Sequence, residues 1–181
     1  STKNVNNNVI KKVCVLFFLL NLVFSQDKIE LKQADSLSSI QINNETLTSL
    51  KGNIIFKKGS QLLFGDRATQ SSDNSIIKLY DNVKIEDGNK IIFCDSLFFD
   101  TNEDKIELFG RVSINNGNQI ITSSKGSLDN KNEKITLLNN SIVEGENQRI
   151  EGDFMEIIFK KNKIVSLEVL ENGSIFSKNF G

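Results

Sequence analysis

Histidine, proline and tryptophan are absent from the chain, and cysteine occurs only twice. Without histidine the chain lacks the commonest general base and the commonest metal ligand. An enzyme on this scaffold would depend on carboxylates, lysines or a thiol, and no such groups fall in a recognisable catalytic constellation. No catalytic residue, metal ligand or cofactor is therefore assigned. Neither sign of charge predominates, with 22 basic and 23 acidic residues, so there is no electrostatic footprint for nucleic acid. Aromatic character is almost all phenylalanine, 13 residues against one tyrosine. A length of 181 residues suits one domain plus a short extra segment.

No apolar run reaches membrane-spanning length. The longest, Val13 to Phe24, is interrupted only by Asn21. As a helix it would extend roughly 18 Å, against a hydrocarbon core of about 30 Å. Lys3, Lys11 and Lys12 precede it, no acidic residue balances them, and Ser25 closes it. A basic start, a short apolar run and a small terminal residue describe a secretory signal peptide. The expected organisation is a leader over 1–25 and one domain over 26–181, with cleavage near Ser25-Gln26. Retention of the run as an anchor is the alternative.

Cys14 would leave with the leader, and it comes too early to be a lipoprotein acceptor. Cys94 alone remains and cannot form an internal disulfide. It lies in the apolar string Ile91-Ile92-Phe93-Cys94 and reads as a small buried hydrophobe. The leader takes three lysines with it, leaving 19 basic against 23 acidic residues and a mildly acidic mature chain.

What the sequence does contain is a repeat. Leu50, Leu79, Leu108 and Leu137 are 29 residues apart, as are Ile77, Ile106, Ile135 and Ile164. The same period aligns Gly52, Asp81, Gly110 and Asn139, then Phe56, Ile85, Ile114 and Val143, then Leu63, Ile92, Ile121 and Ile150. A sixth column holds Asp66, Asp95 and Asp153, with Ser124 in the third unit. Ala34-Asp35-Ser36-Leu37 echoes Cys94-Asp95-Ser96-Leu97 two residues out of phase.

Within a unit the period is two. Ile77, Leu79, Val83 and Ile85 share one parity, and Lys78, Asn82, Lys84 and Glu86 the other. Successive strand side chains point to opposite faces, so each long strand has one apolar face. The Gly52, Asp81, Gly110 and Asn139 column interrupts it with residues that suit a kink or bulge. Turn signals close the strands at Lys58-Gly59, Asp87-Gly88, Asn116-Gly117 and Gly145-Glu146-Asn147. A second apolar run and the turn Asp100 to Asp104 complete a two-strand unit. Four units with flanking pieces predict nine to eleven strands. In the second strand both parities are partly apolar, a pattern that a bulge near Asp95 would produce by shifting the register. The aspartate column repeats one environment, whereas paired catalytic carboxylates need unequal ones. It is therefore assigned to a bulge or turn.

Strings such as Leu108-Phe109-Gly110-Arg111-Val112-Ser113-Ile114, followed after the glycine turn by strands ending Cys94-Asp95-Ser96-Leu97 or Gly152-Asp153-Phe154-Met155, resemble the OstA-like domain shared by the LptA, LptC and LptD components of lipopolysaccharide transport. The likeness covers roughly residues 29–175. It implies an all-β fold, an antiparallel β-jellyroll that is open and V-shaped, built here from about four 29-residue units. It implies a non-enzymatic carrier that binds the lipid A acyl chains of lipopolysaccharide. It also implies partners in other OstA-like domains of the inner- and outer-membrane transport components, met by edge-strand stacking, homo-oligomers included; nucleic acid is not a partner. The implied location is the periplasm, with outer-membrane association if the chain begins a longer LptD-like protein. An anchored LptC-like role is the other alternative, and a structural β-solenoid the least favoured.

On this reading the lipid groove is lined by Ile54, Phe56, Ile77, Leu79, Val83, Ile85, Ile106, Leu108, Val112, Ile114, Ile135 and Leu137. Each methylene buried there stabilises the complex by about 0.8 kcal/mol. The same side chains would equally fill a closed core. If the leader is removed on export, the mass of the mature protein corresponds to a chain starting near Gln26. An intact N-terminus retained in the membrane fraction would instead establish an anchor.

Overall fold

The computed structural model describes residues 28–42, 45–160 and 163–177; the expected leader, its cleavage point and Cys14 lie outside them. The described residues form twelve strands: β1 (Glu30–Gln33), β2 (Ser36–Ile42), β3 (Glu45–Lys58), β4 (Gln61–Ser71), β5 (Ile76–Asp87), β6 (Lys90–Asp100), β7 (Lys105–Asn115), β8 (Ile120–Asp129), β9 (Lys134–Glu144), β10 (Gln148–Lys160), β11 (Lys163–Glu171) and β12 (Ser174–Ser177). They make one open sheet in the order β1-β3-β4-β5-β6-β7-β8-β9-β10-β11, with β2 also on β3 and β12 also on β10. Every pairing is antiparallel. That excludes the parallel stacking of a β-solenoid for the described residues. The turns fall where the Gly signals put them: β3 ends at Lys58, β5 at Asp87 and β7 at Asn115.

The strand count exceeds the expected nine to eleven because each edge of the sheet is split. β1 pairs the second half of β3 and β2 its first half. At the other edge, β12 pairs the first half of β10 and β11 its second half. The split continues a line that crosses the whole sheet. Each neighbouring pair shifts register in mid-strand, between Lys51 and Ile54, Tyr80 and Val83, Phe109 and Val112, and at the matching points of the other strands. The backbone there is left-handed over two successive residues: Gly52 and Asn53, Asp81 and Asn82, Gly110 and Arg111, Asn139 and Asn140. A two-residue bulge at one height in β3, β5, β7 and β9 creases the sheet into two limbs.

The aspartate column secures this crease. Asp35 accepts a hydrogen bond from the Asn53 amide at 2.9 Å, Asp66 from Asn82 at 2.6 Å and Asp153 from Asn172 at 2.6 Å. Asp95 accepts from Arg111 Nε at 2.8 Å. The two-residue offset of Asp35 in the sequence leaves it in the same role as its counterparts.

The bulge also resolves the second strand. Ile92 and Cys94 are buried before the shift, and Leu97 and Phe99 after it, while Phe93 faces out. Both limbs therefore turn their aliphatic parity inward, and these residues form one core cluster. The creased sheet coils over itself. Lys58, at the end of β3, lies 2.6 Å from Asp104 in the β6–β7 turn. Lys90, at the start of β6, lies over the Phe159 ring at the end of β10. Hairpin ends of one limb thus overhang the other limb several strands further on.

Gly110 has φ +67, and a Cβ there would overlap the Asp95 carboxylate. Gly110→Ala is expected to destabilise by about 1–3 kcal/mol from backbone strain, before any steric cost. For a chain of this size that corresponds to roughly 2–4 °C in Tm per kcal/mol. The double substitution Gly110→Asn with Asp95→Ser copies the Asn139 and Ser124 pair, in which Asn139 holds φ 66. It should recover most of the lost Tm in a thermal melt; a melt as low as that of Gly110→Ala would disprove this account of the crease.

Candidate functional site: the apolar inner face

The inner face is built from rows of paired residues. One row runs Leu37, Leu50, Ala68, Leu79, Leu97, Leu108 across the first limb and continues through Gly126, Leu137 and Met155 to Val169. Another runs through Phe56, Leu63, Ile85, Ile92, Ile114, Ile121, Val143 and Ile150 to Ile175. Aliphatic residues at alternate positions of long strands produce these rows, since the pleat returns every second side chain to one face.

The twelve residues assigned to a groove all lie on this face and in this cluster, and all are at least 98% buried. The structure brings them together as tightly packed side chains, not as the walls of an exposed channel. Solvent reaches the inner face at its two extremities instead. Leu37 at one edge is 63% exposed and Ile175 at the other is 71% exposed, because no part of the coil overhangs them. Neither was among the twelve. Ile150, which pairs with Ile175, belongs to the fifth repeat column, so following that column one strand further would have reached Ile175. Leu37 was visible only in the out-of-phase copy.

Polar groups inside the face are few. Ser123 and Ser141 are buried and share a hydrogen bond of 3.1 Å, and Ser123 Oγ also donates to the Leu138 carbonyl at 2.8 Å. Among the described residues no buried side-chain polar atom lacks a partner. The interior therefore offers a ligand apolar contact but no free polar anchor.

Where the limbs meet along the coil, a polar seam closes the face. A cleft of about 390 Å³ there is lined by Lys58, Gln61, Asp87, Lys90, Asp104 and Asp129, among others. The Lys58 side chain is only 9% exposed, between Asp104 and the Phe99 ring. Lys90 pairs with Asp87 at 3.3 Å over Phe159. Each lysine lays its apolar stem on an aromatic ring and keeps its ammonium beside a carboxylate. No cluster of metal-ligating side chains occurs among the described residues. Burial pushes the Cys94 thiol up to about 12, so it packs as a hydrophobe, as its apolar surroundings suggested.

A model of OstA-like proteins matches residues 26–92, and a model of LptC-related lipopolysaccharide-assembly proteins matches residues 63–146. The chain is an OstA-like protein. Together the two matches include the first three units of all six columns and leave β10, β11 and β12 outside. The OstA-like chain is also similar in structure to LptH, the LptA-homologous periplasmic component of the lipopolysaccharide transport device of Pseudomonas aeruginosa. That similarity has 14% identity, covers 57% of this chain and 76% of that one, and has a TM-score of 0.48. Comparison with curated proteins gives no match.

Several surface carboxylates of the OstA-like domain sit below their ordinary range. Hydrogen bonds from the Ser71 hydroxyl, the Ser75 amide and the Ser75 hydroxyl lower Asp73 to about 2. Asp81 is lowered by its bond from Arg67, and Asp129 by its bond from Asn132. A depressed carboxylate contributes stability above its ordinary pKa and loses it as pH falls through the folded value. With no histidine to titrate, the Tm is expected to stay level from about pH 6 to 8 and to fall as pH drops from about 4 towards 2. A pH series of thermal melts checks both limbs of that profile.

Proposed function

We propose that this OstA-like domain is a periplasmic carrier that takes the acyl chains of lipopolysaccharide onto its apolar inner face and passes them between stacked domains on the way to the outer membrane. The observation that carries this reading is the continuity of the aliphatic rows, which emerge uncovered at Leu37 and Ile175, at opposite edges of one sheet. Acyl chains need contact area and exclusion of water rather than polar recognition, and the interior has few polar groups of its own. The split edges leave backbone donors and acceptors of β1, β2, β11 and β12 unpaired on one side. Such edges can accept a strand from another OstA-like domain or from a second copy. The match to LptC-related proteins favours a second reading, an anchored partner in the same transport, which retention of the apolar leader would single out.

Photo-crosslinking to lipopolysaccharide separates the possibilities. Crosslinks are expected from positions 37 and 175 and from inner-face positions 83, 108 and 112. None are expected from the opposite parity at 84 and 111. Crosslinks confined to 37 and 175 would make the interior a permanent core with lipid touching only its ends. Crosslinks from 84 and 111 alone would place the lipid on the wrong face for this reading.

A further inference from the structure

The outer face of β5, β6 and β7 carries a concavity of about 440 Å³ whose walls are Tyr80, Phe98 and Phe109 and whose polar groups are Lys78, Ser96 and Glu107. Two rows of paired residues make it. Tyr80, Ser96 and Phe109 lie directly across from one another on the three strands, and Lys78, Phe98 and Glu107 do so in the next row. Strands are about 4.8 Å apart, so Tyr80 and Phe109 stand roughly 9.6 Å apart with the small Ser96 between them. That leaves a slot between two aromatic side chains, with Ser96 between them and Phe98 in the adjoining row. Lys78 lies 5.8 Å from the Phe98 ring centre, and Lys125 lies 5.0 Å from that of Phe109. These cations sit beside the aromatic walls without filling the slot between them.

The chemistry of this slot selects its occupant. The hydroxyls of Ser96 and Tyr80 both donate and accept, Glu107 only accepts and Lys78 only donates. A purely apolar occupant would strip water from Lys78 and Ser96 and give them no partner, and it would cover the Glu107 carboxylate, whose ion pair with Lys125 is long at 3.9 Å. An anionic group would meet the Glu107 carboxylate. A sugar ring has apolar C–H faces for the aromatic walls and edge hydroxyls that pair with donors and acceptors alike. Concave sites with apolar walls and a few convergent polar groups are the usual form of small-ligand sites. We propose that this outer-face slot binds a neutral saccharide ring between Tyr80 and Phe109, independently of the apolar interior on the other side of the sheet.

Tyr80 is the sole tyrosine and the chain has no tryptophan, so intrinsic emission of the unmodified protein reports from this slot. The intact protein is titrated with glucose, N-acetylglucosamine, maltotriose and chitotriose while tyrosine emission is followed. A saturable change with at least one of them is expected. Ser96→Phe, which fills the slot, should weaken that response at least tenfold, and so should the exposed rim variant Glu107→Ala. Uptake of a fluorescent fatty acid by the interior should be the same in all three proteins. No saturable change with any of the four sugars overturns the proposal. So does an equal response in Ser96→Phe that retains the parental melting temperature. A response to N-acetylphenylalaninamide in place of the sugars would make the slot a contact for an aromatic peptide side chain and would equally overturn it.

Discussion

Everything in this fold depends on a line of left-handed backbone that crosses the sheet at mid-strand. A straight twelve-strand sheet with one aliphatic face would leave that face to solvent, because nothing else in the described chain can cover it. Two-residue bulges at a constant height let the sheet bend along one line and cover itself. The bulges persist because their cost is met locally. Glycine, asparagine and aspartate tolerate positive φ, and an aspartate on the neighbouring strand holds the bulged residue through an amide or a guanidinium. The 29-residue period is the sequence form of this requirement: every second strand must deliver the same bulge at the same height.

Coiling sets the electrostatics of the molecule as much as its core. Bringing the hairpin ends of one limb over the other limb places lysines and aspartates at the seam, where Lys58 and Lys90 are each held between a carboxylate and a phenylalanine ring. The seam closes the long side of the apolar face. The two extremities of the coil have no such closure, and there the face meets water. The polar and apolar openings of the molecule thus follow from one geometric cause.

Much of this was legible in the sequence, and the reason is physical. Parity within Ile77 to Ile85 and Ile106 to Ile114 reports burial directly, because the pleat alternates faces, and all eight of those predicted inward side chains are buried. The aspartate column was readable as a bulge device because it repeated one environment. Three things were not legible. Side-chain parity says which face is apolar but not whether another layer presses on it, so the twelve groove candidates could not be told from a core. The split edges were hidden as well, since Ala34-Asp35 and Asn172-Gly173 look like ordinary turns until the strands on either side are seen to pair different halves of one neighbour. The outer slot was missed for a related reason: Tyr80, Ser96 and Phe109 are distant in sequence and meet only through register.

The meander has a consequence for growth. Apart from the paired edge strands, each strand lies beside its predecessor in the chain, so one unit adds two strands and about 9.6 Å of sheet width without altering the neighbours already made. Chains of this design can therefore change the reach of their apolar face in fixed increments by gaining or losing whole units. They can also assemble hairpin by hairpin as the polypeptide arrives, because no strand must wait for a distant partner. The repeat works as a ruler, with the crease marking its graduations.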